Sequence, residues 1–139
     1  MIDAISTLLQ DDATLTAALT GGVHRAVEIS RQATPTAFDA HGEIKPCALL
    51  KQETATPWGP HDDSGRLYVV VYFYERSGYD NIEAARKRVY DLLHRTKLTP
   101  EDGSGNYDIR HGNDLIDIED GALNVPMAMS RYVCTVQRG

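Results

Sequence analysis

The chain has 139 residues, 42% of them hydrophobic and 24% charged, which fits one globular domain around a single core and leaves no room for two. A formal net charge of -6 opposes a broad, sequence-independent grip on nucleic acid, because that grip relies on Lys and Arg neutralising phosphates. The most apolar run, Leu67 to Tyr74, ends at Glu75 and Arg76, well short of the roughly 18 apolar residues that a membrane-spanning helix needs, so no membrane partner is expected.

The N-terminal Met1-Ile2-Asp3-Ala4-Ile5 carries no basic stretch before an apolar block and does not read as a secretion signal, so assembly in a reducing host cytoplasm is expected. Ile2, Ile5, Leu8 and Leu9 recur at helical spacing, and Leu15, Ala18 and Leu19 do so again after Asp11-Asp12. The pattern predicts a broken helix or two short ones, with Asp11 or Asp12 capping the second piece and Gly21-Gly22 ending it. Val23 to Ile29 reads as a short first strand. Ser30 to Pro46, with Pro35, Gly42 and Pro46 and little periodicity, reads as a long exposed connection that serves contacts outside the core.

Cys47 to Glu53 is a predicted strand, and Thr54 to Gly65 reads as a loop carrying Pro57, Trp58, Gly59 and Pro60. Arg66 to Glu75 is the clearest strand, since its Val, Tyr and Phe content favours a pleated surface. Alternation sends Leu67, Val69, Val71 and Phe73 to one face and Tyr68, Val70, Tyr72 and Tyr74 to the other, so both faces are apolar or aromatic. Asp80 with Glu83 three residues on forms a plausible capping arrangement for the strongest helix, whose Ile82, Ala85, Val89, Leu92 and Leu93 stripe is expected to pack on the Leu67 face. Thr99-Pro100 closes that helix, and Glu101 to Gly105 is a turn. Tyr107 to Arg110, Leu115 to Glu119 and Arg131 to Gln137 supply the last strand signals, the final two separated by Gly121 to Met129. Cys47 and Cys134 lie far apart, neither in a C-x-x-C pair, and are expected as small core residues.

The run Leu8 to Val23, with its helical pattern ending in Gly21-Gly22, resembles the opening of the phage tail-terminator and tail-completion superfamily. The strand Tyr68 to Phe73, followed by Ser77-Gly78 and a helix ending at Leu92-Leu93, is similar to the central strand and helix of that family. Arg131 to Val136 is similar to its last strand. The resemblance implies a single α+β domain over residues 1–139, with an antiparallel or mixed sheet of about four to five strands packed against an N-terminal and a central helix. It further implies a structural protein of the virion tail or neck, without catalytic residues or cofactor. Such a protein assembles with itself into a ring, expected to be a hexamer, contacts the tail tube and the head-tail connector, and lets DNA pass nearby without sequence-specific binding. A neck or head-closure protein of the same particle is the near alternative, and a small α+β enzyme or ligand-binding domain is the alternative of another class.

Particular residues divide these readings. Trp58, flanked by Pro57 and near Pro60, either folds back on its own domain or anchors into a neighbouring subunit. Tyr68, Tyr72 and Tyr74 form either a subunit interface or a second buried face. Arg86, Lys87 and Arg88 point to a lumen or an acidic partner, or form the solvated side of an amphipathic helix. His61-Asp62-Asp63 and the set Asp108, His111, Asp114 have metal-capable side chains without locked ligand spacing, and read better as polar loops. Gly103-Ser104-Gly105 lacks the Gly-Lys-Ser/Thr of a phosphate loop.

Overall fold

A computed structural model describes residues 1–58, 61–98 and 105–137, with side chains for 1–53, 65–98 and 108–136. The predicted broken helix is α1 (Ile2–Asp11) and α2 (Ala13–Ala18), and the break is Asp12, whose carboxylate accepts from the Leu15 amide at 2.8 Å. Gly21 follows at a point where the backbone passes close to another strand. Its amide donates to the Pro46 carbonyl at 2.7 Å, and any Cβ there would sit 3.0 Å from that oxygen.

Five strands make one mixed sheet in the order β1-β2-β3-β5-β4: β1 (Val23–His24), β2 (Cys47–Trp58), β3 (His61–Tyr74), β4 (Gly105–Asp120) and β5 (Val125–Gln137). β1 runs parallel to β2 and every other pairing is antiparallel. The α+β class expected from the sequence is the architecture observed.

Several boundaries differ from the sequence reading. The expected loop at Thr54 to Gly65 is mostly strand: β2 continues to Trp58, which pairs with His61 at the hairpin tip. The first strand is two residues long, not seven. Tyr107–Arg110 and Leu115–Glu119 belong to one strand, β4, interrupted by three register shifts. β5 starts at Val125, so Pro126 lies within it and only residues 121–124 turn. The closing Thr99-Pro100 and the turn before Gly105 lie outside the described residues.

Helix α3 (Asp80–Leu93) packs as its stripe requires. Ile82, Ala85, Val89 and Leu93 are buried in one cluster with Leu67, Val69, Val71 and Phe73, together with Ile5, Leu9, Leu15 and Leu19 from α1 and α2. Its N-terminus is capped differently from expectation. Tyr79 occupies the cap position, its hydroxyl donating away to the Ile118 carbonyl at 3.0 Å rather than capping, and Glu75 reaches in from the end of β3 to accept from the Asn81 and Ile82 amides at 3.1 and 3.4 Å. The carboxylate thus meets the positive end of the helix from outside it.

The opposite face of the sheet is half covered. Residues 30–46, expected as an exposed connection outside the core, supply a lid instead. Ile29, Ala37 and Ile44 bury against Cys47, Leu49, Tyr74, Val125 and Met127. The lid holds its own shape: the Thr34 hydroxyl donates to the Ser30 carbonyl, and Asp39 accepts from the His41 and Glu43 amides. Three apolar residues at irregular spacing were enough to seal it, and periodicity has no means of registering them. Cys47 and Cys134 are both free and buried, and burial pushes each thiol up to about 12, so both stay protonated and inert.

One ion pair joins the three helices. Arg88 of α3 donates through Nε and Nη2 to the two oxygens of Asp12, at 2.9 and 2.7 Å, so the residue that caps α2 also ties it to α3. The Arg88 guanidinium beside Asp12, aided by the Leu15 amide, holds that carboxyl below its ordinary 3.8. A depressed carboxyl stabilises the fold above pH 3.8 and loses its contribution as pH falls through the folded value. Arg88→Ala is expected to lower the melting temperature at pH 7, with the gap to wild type narrowing as pH falls below 3.8 and closing as the folded Asp12 protonates. A gap that stays constant as pH falls in thermal melts contradicts this. Val89→Asp places an unpaired carboxylate in the main core and is expected to cost about 3–5 kcal/mol in denaturant titration; a near-wild-type midpoint means that α3 packs elsewhere.

Candidate interaction surfaces and a polar pocket

The outer sheet face follows from the alternation of β3 and a bulge in β2. Tyr74 lies under the 30–46 lid and the half-buried Tyr72 packs against the same cluster, whereas Tyr68 is half-buried on the far side of Val70. The register shift between Gln52 and Thr54 leaves Glu53 as the extra residue on β2. Glu53 takes a two-pronged bond from Arg131 of β5, Nε to Oε2 at 2.9 Å and Nη2 to Oε1 at 3.0 Å. The pair reaches from β5 to β2 across β3, where Val70 is flanked by Arg131 and Lys51 in register. Val70 is consequently only 1% exposed although no helix or lid lies over it. Both charged groups remain partly solvated, so the pair's value lies in covering Val70 more than in Coulomb energy.

Beyond this strap the face is open. Leu115, paired with Met129 beside Tyr72, is 48% exposed, and its neighbour Ile116 is 49% exposed. The sheet also has incomplete edges. β1 covers β2 only at Ala48 and Leu49, and β4 forms the other edge with three irregularities that blunt it. Trp58 stands at the tip of the β2–β3 hairpin, past Ser64, where the pairing with β5 stops. The side chains of Pro57 and Trp58, and all of Pro60, lie outside the described residues.

A second feature sits under α3. Its floor is made by β4 and β5, and the residues that meet there depend on a bulge at Gly112. Ile109 and His111 face the helices, Asn113 pairs with the outward Arg131, and Asp114 faces inward again opposite Ser130. In an unbroken strand residues 111 and 114 point to opposite faces; the extra residue puts both on one. Glycine suits the bulge because a Cβ there would lie 3.2 Å from the Arg131 carbonyl.

His111 Nε2 bonds Asp114 Oδ1 at 2.8 Å, while Asp114 Oδ2 accepts from Arg86 at 2.7 Å and Arg86 also reaches Glu83. Burial pushes the Asp114 carboxyl up, but the Ser130 hydroxyl, His111 and Arg86 outweigh it and hold it below the ordinary range. The Ser130 hydroxyl is close enough to favour that charge without hydrogen-bonding geometry. The Tyr90 ring stacks on His94 at 4.7 Å and meets His111 edge-on, and His111 meets Tyr132 likewise. His94 Nδ1 accepts from the His111 amide at 3.1 Å, which fixes the end of α3 on β4. The result is a pocket of about 460 Å³ lined by Glu83, Arg86, Lys87, Asp114, Ser130 and Tyr132, among others.

The residues singled out in the sequence therefore separate. Arg86 is bound to Glu83 and Asp114, Arg88 to Asp12, and Lys87 stands exposed at the pocket rim. Of the set Asp108, His111 and Asp114, the last two meet on β4 rather than in a loop, and Asp108 pairs with Arg110. Among the described residues no group of three His, Cys, Asp or Glu side chains is placed to hold a metal ion, and no helix is long and apolar enough to cross a membrane. Tyr90, Ser130 and Tyr132 escaped sequence reasoning, because their convergence depends on the β4 bulge and on the β5 register.

No family model matches the sequence, and no curated protein matches it. Among solved structures, the chain shares its fold with a chain in the virion of a native gene transfer agent particle. The TM-score is 0.73 at 16% sequence identity, covering 99% of this chain and 94% of the other.

Proposed function

We propose that this chain is a structural virion protein. It forms a ring, expected to be a hexamer, at the head-proximal end of a tail tube, where it ends tube polymerisation and joins the tail to the head connector. The observation that carries this reading is the fold likeness to a virion chain over nearly the whole of both chains. Three features support it. The sheet offers two unlike edges, β2 past Leu49 and β4, as head-to-tail ring contacts require. The outer face keeps Tyr72 half-buried beside Met129 and the exposed Leu115, and Tyr68 half-buried beyond Val70, a composition suited to an interface that is wet before assembly. Trp58 stands at a hairpin tip with Pro57 beside it and Pro60 near it, so an anchoring aromatic loses little conformational freedom on docking.

The net charge of -6 fits a ring that DNA passes without being held, with Lys87 as the member of the Arg86–Arg88 cluster left to face a lumen or partner. A neck or head-closure position in the same particle draws on the same fold likeness. The observation that favours the other class, a small ligand-binding or catalytic domain, is the polar pocket under α3.

Trp58→Ala separates folding from assembly. The isolated subunit is expected to melt as wild type does, while the yield of finished tails falls. If the variant unfolds the subunit, or leaves tail yield untouched, the hairpin tip is not the contact proposed.

A further inference from the structure

Among the described residues four large apolar side chains are exposed, and three of them stand at the two edges of the sheet. Val27, 83% exposed, lies in the bend that follows β1, whereas Leu115 and Ile116 lie on β4, the opposite edge. The charges beside these apolar residues differ in sign between the two edges.

Where β1 ends at His24, residues 25–27 part from β2 and leave a notch of about 520 Å³. Arg25, Ala26 and Val27 form one wall, and Leu50, Lys51 and Gln52 form the other. Leu50 belongs to the helical side of the sheet and Lys51, next in an alternating strand, to the other side, so a hollow touching both opens at the edge of β2. Its lining holds two bases and no acid. Arg25 also bonds Asp3 through one nitrogen and stays partly exposed.

β4 is the converse. Leu115 pairs with Met129 and Ile118 with Met127, so Ile116 and Asp117 together stand opposite the single Ala128 and bulge at the edge. Asp117 turns the chain there at a φ of 53°, a left-handed value that Asp accepts more readily than most residues. The stretch from Leu115 to Asp120 holds three acids, Asp117, Glu119 and Asp120, and no base.

Like edges therefore repel: two β4 edges oppose their acids, and two notches oppose Arg25 and Lys51. Unlike edges attract. We propose that the β4 bulge of one copy seats in the β2 notch of the next, Ile116 against Val27, with Asp117 and Glu119 facing Lys51 and Arg25. The contact rests on the reading of the chain as a ring subunit and specifies it, because a pairing of unlike patches repeats head-to-tail from copy to copy and closes when the rotation allows. The apolar pair is removed from water, and the charges set partner and register more than strength.

The test uses the full-length protein, alone and mixed with tail tubes. Val27 and Ile116 are replaced together by cysteine and treated with a short bis-maleimide; Cys47 and Cys134 are buried and protonated, so only the new thiols react. The double variant is expected to give a ladder of linked subunits that ends at the ring, and neither single variant any linkage. Ile116→Asp is expected to raise the concentration at which multimers form by about tenfold, with the melting temperature of the monomer unchanged. If that variant fails to fold, Val27→Asp gives the same reading from the other edge. Linked dimers from Val27→Cys or Ile116→Cys alone mean that like edges meet, and overturn the proposal. Rings that form from the double variant without linkage overturn this contact and leave the ring standing, whereas wild-type protein that stays monomeric even with tubes overturns both.

Discussion

The central strand β3 is apolar on both faces, so a single layer of helices cannot satisfy it. Leu67, Val69, Val71 and Phe73 take the helical side, where α1, α2 and α3 bury their stripes together. Val70 and Tyr74, with Tyr68 and Tyr72 between and beside them, still need cover on the other side, and among the described residues no α-helix is left to give it. The chain meets that need in pieces. Residues 29–44 lie over Tyr74 and its neighbours, and the Arg131–Glu53 pair closes over Val70. What remains open, at Leu115 and Ile116 beside the half-buried Tyr72, is a consequence of that incomplete second layer. Exposed apolar side chains so placed suit an interaction surface.

Much of this was legible in the sequence because it rests on local periodicity. The Asp12 break between two helices, the two-faced strand at Leu67 to Tyr74 and the α3 stripe all follow from spacings of 2 or 3.6 residues. What escaped depends on register and on distant partners. The cap of α3 comes from Glu75 rather than from its own Asp80, and the lid residues Ile29, Ala37 and Ile44 have no common period. Trp58 and the polar run after Pro60 looked like a loop because Gly, Pro and Asp disfavour strands, yet pairing between the end of β2 and the start of β3, Trp58 with His61 and Pro57 with Gly65, extends both strands into it. The bulge at Gly112 is the clearest case: one extra residue brings His111 and Asp114 together, and no alternation rule read from the sequence places them on one face.

The charge clusters on α3 show why exposure cannot be inferred from residue type. Arg86 and Arg88 occupy the solvent side of the amphipathic pattern, yet each spends its guanidinium within the domain, one on the β4 carboxylate Asp114 and the other on Asp12 at the helical elbow. The arginines that looked available to a partner hold the helix to the rest of the fold, and the proposed partner surface lies on the opposite side of the sheet. That division, helices stapled inward on one face and an unfinished layer on the other, suits the proposed assembling subunit.

The central claim is that the unfinished face and the free edges are covered by other copies of the same chain at the end of a tail tube. Native mass measurement of the purified protein, alone and after mixing with tail tubes, tests it most directly. The account predicts that mixing yields closed multimers bound at one end of the tubes, with tube growth halted. A monomer under both conditions, with tubes that continue to lengthen, contradicts it.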